Sequence, residues 1–323
     1  MLKNKEKFAL VSVYGAGHRL RKPSYQIAPN LTLLTKQFVE IDSLWKNWMG
    51  EIQSERLKLS NLNIIIQKEV KDPNVIDSDN EDLSNLAHLC FNALLLVAGF
   101  NCDYPPFIIS GAMIDGNLKV QTVSSLQKPG INHVTPEFLI EESNISELRD
   151  IFATLKNFLA TKSHSRIQRG IRSFINGINT FFAEDRIHNY VRSLESFIVP
   201  TKGETGRQFK SKTELFIGTE YHTLINDIYS IRSNVEHMHD SLKGLSHLSG
   251  RDVEKLCVIV EGIARYCIKT ILLDQTKLIE FSDNNIENFW KDDNKILREN
   301  LFREKFDLRD FTAKMNEAAE YLA

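Results

Sequence analysis

Arg232 and His237 close an apolar, helix-periodic segment, Ile228-Tyr229-Ser230-Ile231-Arg232-Ser233-Asn234-Val235-Glu236-His237. The Arg-x-x-x-x-His spacing joins a permanent cation to an imidazole that titrates near neutrality, the two side chains needed to cut RNA without a metal. A guanidinium holds a phosphate bidentately and stabilises transition-state charge better than a Lys ammonium does. An imidazole, with an ordinary pKa of about 6.5, can remove the ribose 2′-OH proton or return one to the departing 5′ oxygen. Ser233 or Asn234 could add a hydrogen bond to a phosphate oxygen, with Tyr229 as the aromatic just upstream. DNA lacks the 2′-OH and is no substrate for this route. On their own the residues admit a plainer account: a helix-surface cation and a histidine favoured by the dipole at a helix C-terminus.

Helix geometry leaves the imidazole open between two residues. A separation of five turns two side chains about 140° apart, whereas seven returns them nearly to one face. His239 is therefore the better helical neighbour of Arg232. His237 fits if the helix loosens near Glu236, or if each His works with a partner chain's Arg. Glu236 reads as a solvated charge. Glu195, beside Leu194, reads as a surface carboxylate or as a structural partner that fixes the Arg232 rotamer.

The elements that must position these residues change character along the chain. Seven of the eight prolines lie at or before Pro136 and none follows Pro200, so long helices are permitted beyond it. The first 140 or so residues look mixed. Lys7 to Tyr14 and Leu62 to Val70 read as strands, and Leu31 to Leu59 as one or two helices carrying Trp45 and Trp48. Asp72 to Asp82 reads as an acidic loop and Leu83 to Val97 as an apolar helix. Phe107 to Val123, interrupted by Asp115-Gly116-Asn117, reads as a hairpin, because Asp-Gly accommodates positive φ. From Asn144 onward, apolar residues recur at three- and four-residue spacing in stripes around 148–159, 167–178, 187–197, 224–231 and 252–273. Five amphipathic helices argue for a bundle. The charged tail from Gln275, carrying Phe281, Phe289, Trp290, Phe302, Phe306 and Phe311, predicts short helices packed upon it.

Composition limits the classes of function. With 40 basic against 42 acidic residues in 323, nucleic-acid affinity must come from a local patch. Two patches flank the motif helix: Arg166, Arg169 and Arg172 in the acid-free run Lys162 to Arg172, and Lys202, Arg207, Lys210 and Lys212. No apolar run suits a membrane span, no signal peptide opens the chain, and Cys90, Cys102, Cys257 and Cys267 show no C-x-x-C spacing. A cytoplasmic protein without cofactor or metal is expected. Gly15-Ala16-Gly17-His18 lacks a third glycine for a dinucleotide or P-loop site. His88, His133 and His222 form no metal-ligand spacing, and no nucleophile elbow appears.

The segment Tyr229 to His237 resembles the signature of the HEPN superfamily, in particular the Apea-like HEPN group, in which a helix ends in an aromatic, Arg-Ser and then His. Arg186 to Phe197 resembles the Leu-Glu helix of that group. The likeness covers roughly residues 145 to 275; Met238 stands where the group usually has glycine. Together with the element pattern it gives a mainly α chain: an α+β domain of unknown role over 1–143, a HEPN-like helical bundle over 144–274 and a helical tail over 275–323. The resemblance further implies a metal-independent endoribonuclease, dimeric through the Arg-Ser helix, of the kind used as a toxin or antiphage effector. The trigger and any antitoxin are not legible. Two rival readings are a non-catalytic HEPN-like module binding RNA or protein, and a bundle that only dimerises while the N-terminal domain carries the function.

Overall fold

The computed structural model describes residues 2–36, 39–100, 102–129, 139–201 and 203–321, with side chains to residue 316. Contacts divide the chain into two compact units, Met1–Pro129 with Glu137–Lys156, and Gly130–Pro136 with Asn157–Ala323. The chain is mainly helical, with one antiparallel sheet.

The first unit is built on six strands: β1 (Glu6–Val13), β2 (Ser24–Ala28), β3 (Leu31–Leu34), β4 (Leu62–Glu69), β5 (Phe107–Ile114) and β6 (Asn117–Ser125). They lie in the order β2-β3-β4-β1-β5-β6, all neighbours antiparallel. Central β1 is buried along its whole length, as a strand covered on both faces must be. Phe8 and Leu10 join Ile65, Phe107 and Ile109 beneath Met49 of α1 (Ser43–Met49) and Leu57 of α2 (Glu51–Lys58). On the alternate face Lys7, fully buried, reaches Asp77 at 2.7 Å, next to α3 (Ser78–Val97), which packs on β1, β4 and β5. The hairpin turn forms as expected, Asp115 and Gly116 both taking positive φ (49° and 77°). The first thirteen residues of α4 (Asn144–Thr161) belong with this unit.

Two expectations fail here. Leu31 to Leu34 is a strand, because Pro29 and left-handed Asn30 (φ 62°) turn the chain back onto β2. The acidic run read as loop contains the start of α3, where Asp77 and Asn80 form a capping box and Asp79 and Glu81 complement the helix dipole.

The second unit holds α5 (Ser165–Asn179), α6 (Ala183–Ile198), α7 (Thr205–Ile217), α8 (His222–Glu236) and α9 (Gly250–Leu272). Short helices α10 (Gln275–Glu280), α11 (Ile286–Phe289) and α12 (Lys295–Leu301) follow, as the tail's pattern predicts, and then the longer α13 (Leu308–Tyr321). Phe281, Phe289 and Phe302 are buried against one another. Helix α6 is central and packs on α5, α7, α8 and α9. Its buried residues run well beyond one apolar stripe, from Arg186 to Ile198 and including Ser193 and Ser196. Helix α7 was not anticipated in the basic connecting segment; it buries Phe209, Thr213, Phe216 and Ile217. The four cysteines are free and buried.

Candidate functional site

The site is built where α8 crosses α6. Buried Ile225, Ile228 and Ile231 seat α8 in the helical unit, which turns Arg232 and Glu236, one helical turn apart, along its flank. The facing positions of α6 are His188 and Glu195, seven residues apart and therefore on one face. Arg232 Nη2 donates to Glu195 Oε2 at 3.2 Å and lies 3.6 Å from Glu236 Oε2. Glu236 Oε2 is in turn 3.4 Å from His188 Nδ1. The guanidinium carbon stands 5.7 Å from the centre of the Tyr229 ring, which is itself braced by Phe209 at 5.2 Å. Two helices thus hold one arginine by a carboxylate from each.

Burial shifts the titrations. It pushes the Glu195 carboxyl above its ordinary range, against the opposing pull of Arg232. It pulls the His188 imidazole below its ordinary value; Glu236 and a hydrogen bond to the Arg232 backbone work the other way, while the Arg232 and Arg192 charges add to the drop. Tyr229 rises, again mainly through burial.

Helix α8 ends immediately after Glu236. His237 is the capping residue, its N–H bonded to the Ser233 carbonyl. Met238 then takes left-handed φ (55°), its N–H reaching the Val235 carbonyl and that of His239 the Asn234 carbonyl. This is a Schellman motif whose left-handed position usually belongs to glycine. Met238 therefore keeps the backbone turn that a glycine would make. His239 lies beyond the turn, so the seven-residue helical spacing to Arg232 does not apply to it. Both imidazoles are exposed, their ring centres 6.3 Å apart, and no hydrogen bond joins either to Arg232 among the described residues.

The other expected residues divide by what they touch. Asn234 Nδ2 donates to the carbonyls of Ser241 and Lys243, which holds the loop after α8. Ser233 is half-buried beside Arg232. Arg166 donates to the carbonyls of Glu195 and Ser196, and Lys212 to those of Ile198 and Val199, so both cap the C-terminus of α6. Burial lowers the pKa of each. Lys210 donates to Asn226. Arg169, Arg172 and Arg207 are exposed, Arg207 bridging to Glu204. Lys202 and His133 lie outside the described residues.

His188 was missed by the sequence reading, although it lies in the helix quoted for Glu195. The seven-residue spacing between them was the available signal. Glu236, read as a solvated charge, is exposed and also lies between Arg232 and His188. Among the described residues, no group of three or more His, Cys, Asp or Glu is placed to hold a metal, and no helix is long and apolar enough to cross a membrane. No protein-family model, no curated protein and no solved structure matches the chain.

Proposed function

We propose that this chain is a HEPN-type endoribonuclease that cleaves RNA without a metal and works as a homodimer through α8. The supporting observation is the held arginine. Arg232, fixed between Glu195 and Glu236, stands one turn before the helix end that carries His237. A phosphodiester entering beside Glu236 would meet a preoriented guanidinium, with an imidazole for proton transfer nearby. A cytoplasmic toxin or antiphage effector is the role we assign to such an enzyme. The first unit would serve as its sensor or restraint.

A second reading draws on the same geometry. An arginine with a carboxylate on either side is also a structural ion pair, and a HEPN-like module that binds RNA or protein without cutting would have this appearance. Incubating the purified full chain with total RNA in EDTA separates the two. The enzyme yields fragments ending in 2′,3′-cyclic phosphate, and Arg232→Ala and His237→Ala abolish them. Cleavage unchanged in both variants sinks the site, and loss only in His239→Ala moves the imidazole two residues on. An intact wild-type RNA pool that is still retained by the protein favours the binding module.

A further inference from the structure

RNA cleavage through the 2′-OH needs two proton transfers, one from the attacking hydroxyl and one to the leaving oxygen. An exposed imidazole at the end of α8 supplies one. The geometry points to His188 as the second catalytic residue, the general base, with the carboxylate of Glu236 beside it. This inference rests on the ribonuclease reading and names a further residue of that site.

Three observations carry it. His188 Nδ1 is buried without a hydrogen-bond partner and lies 3.4 Å from Glu236 Oε2, close enough for the carboxylate to stabilise the imidazolium as it forms. The His188 side chain keeps 16% of its surface exposed, the route by which the ring would meet a substrate. Finally, Glu236 also contacts Arg232, at 3.6 Å, so the base and the phosphate-binding cation share one carboxylate. Phosphate binding at Arg232 competes for that carboxylate and leaves it to His188. The charged groups bearing on His188 are Glu236 and Arg232 from α8 and Arg192 from α6, and burial keeps the ring neutral further into acid than a free histidine. A base must be neutral before it acts.

The step balances without a co-reactant. His188 Nε2 takes the 2′-OH proton as the 2′ oxygen forms its bond to phosphorus. The phosphorus–O5′ bond breaks, and protonated His237 gives its proton to O5′. The products are a 2′,3′-cyclic phosphate and a 5′-hydroxyl, and water exchanges the proton between the two imidazoles.

The test follows cleavage of a fluorescent oligoribonucleotide by the full chain in EDTA between pH 5 and 9. His188→Ala should lower kcat by about 10²- to 10⁴-fold with little change in KM, the usual contribution of a general base. Added imidazole should restore part of that activity, which it would not do for a misfolded protein. In the wild type the acidic limb of kcat should fall at a pH below 6.5, the ordinary value for histidine. Glu236→Gln should move that limb to lower pH, because it removes the negative charge that raises the His188 pKa. If His188→Ala keeps kcat within threefold of wild type while Arg232→Ala is dead, this inference falls and the ribonuclease reading stands. A loss in His188→Ala that imidazole does not rescue, with the wild-type limb unmoved in Glu236→Gln, also overturns it. If the wild-type chain does not cut, both fall together.

Discussion

At the scale of single residues, the stretch after Arg232 shows a backbone requirement met by an unsuitable side chain. Met238 occupies the left-handed position of the helix-ending turn, with φ 55°, and is 92% exposed. Its side chain has almost nothing to contact, so the strain is not offset by packing. Met238→Gly is therefore expected to stabilise the fold by about 0.5–1 kcal/mol, the relief of a left-handed L-residue less the extra freedom glycine brings to the unfolded chain. Chemical denaturation of the two proteins checks this, and a lower midpoint for the glycine variant refutes it. The residue types of the site were legible in the sequence, since Arg232, Glu195 and Tyr229 meet as their order implied. The position of His188 was not, because a histidine on a largely buried helix carries no mark until α8 brings Glu236 against it. The choice between His237 and His239 depended on where the helix stops. That was set by a turn at a methionine, a residue type that gives no stop signal.

At the scale of elements, α6 positions the site because it is held from all sides, and its neighbours approach it closely. A Cβ built on Gly170 of α5 would lie 1.9 Å from Ser196 Oγ and 3.2 Å from the Ser193 carbonyl oxygen. One on Gly177 would lie 2.5 Å from the Tyr190 ring. Helix propensity alone favours alanine over a mid-helix glycine by about 1 kcal/mol, whereas overpacking a tight core costs about 1–3 kcal/mol. Packing wins for Gly177, where the obstacle is an aromatic ring locked into a buried network. Tyr190 Oη donates to Glu261 at 2.9 Å, and Glu261 also accepts from Arg186 and Arg265. Gly177→Ala should thus lower the melting temperature despite its better propensity, and a rise in calorimetry would contradict the closeness of α5 and α6. The apolar stripes revealed α5, α6, α8 and α9. They did not reveal α7, whose four buried residues are interrupted by lysines. Nor did they reveal β2, or β3, which looks like the start of a helix until Asn30 turns the chain.

Across the whole molecule, charge is nearly balanced at a net −2, so any hold on RNA depends on how many cations are free to meet phosphate. The sequence offered seven candidates beside the motif helix. Arg166 and Lys212 instead cap α6, and Lys210 holds Asn226, which leaves Arg169, Arg172 and Arg207 exposed among the described residues. Binding to single-stranded RNA weakens with salt by a slope near −0.7 per phosphate contact, so seven contacts would give about −5 and three give about −2. Titrating a labelled single-stranded RNA with the Arg232→Ala chain, followed by anisotropy between about 50 and 200 mM KCl, over which the Debye length falls about twofold, is expected to give the shallower slope per chain. Arg169→Ala and Arg172→Ala should each reduce it by about 0.7 and leave the melting temperature alone. Lys212→Ala should do the opposite, since it strips a donor from the end of α6 without removing a free cation. A slope nearer −5 would mean that Arg166 and Lys212 leave their carbonyls for RNA. The C-terminal end of the helix that carries His188 and Glu195 would then have to loosen whenever substrate binds.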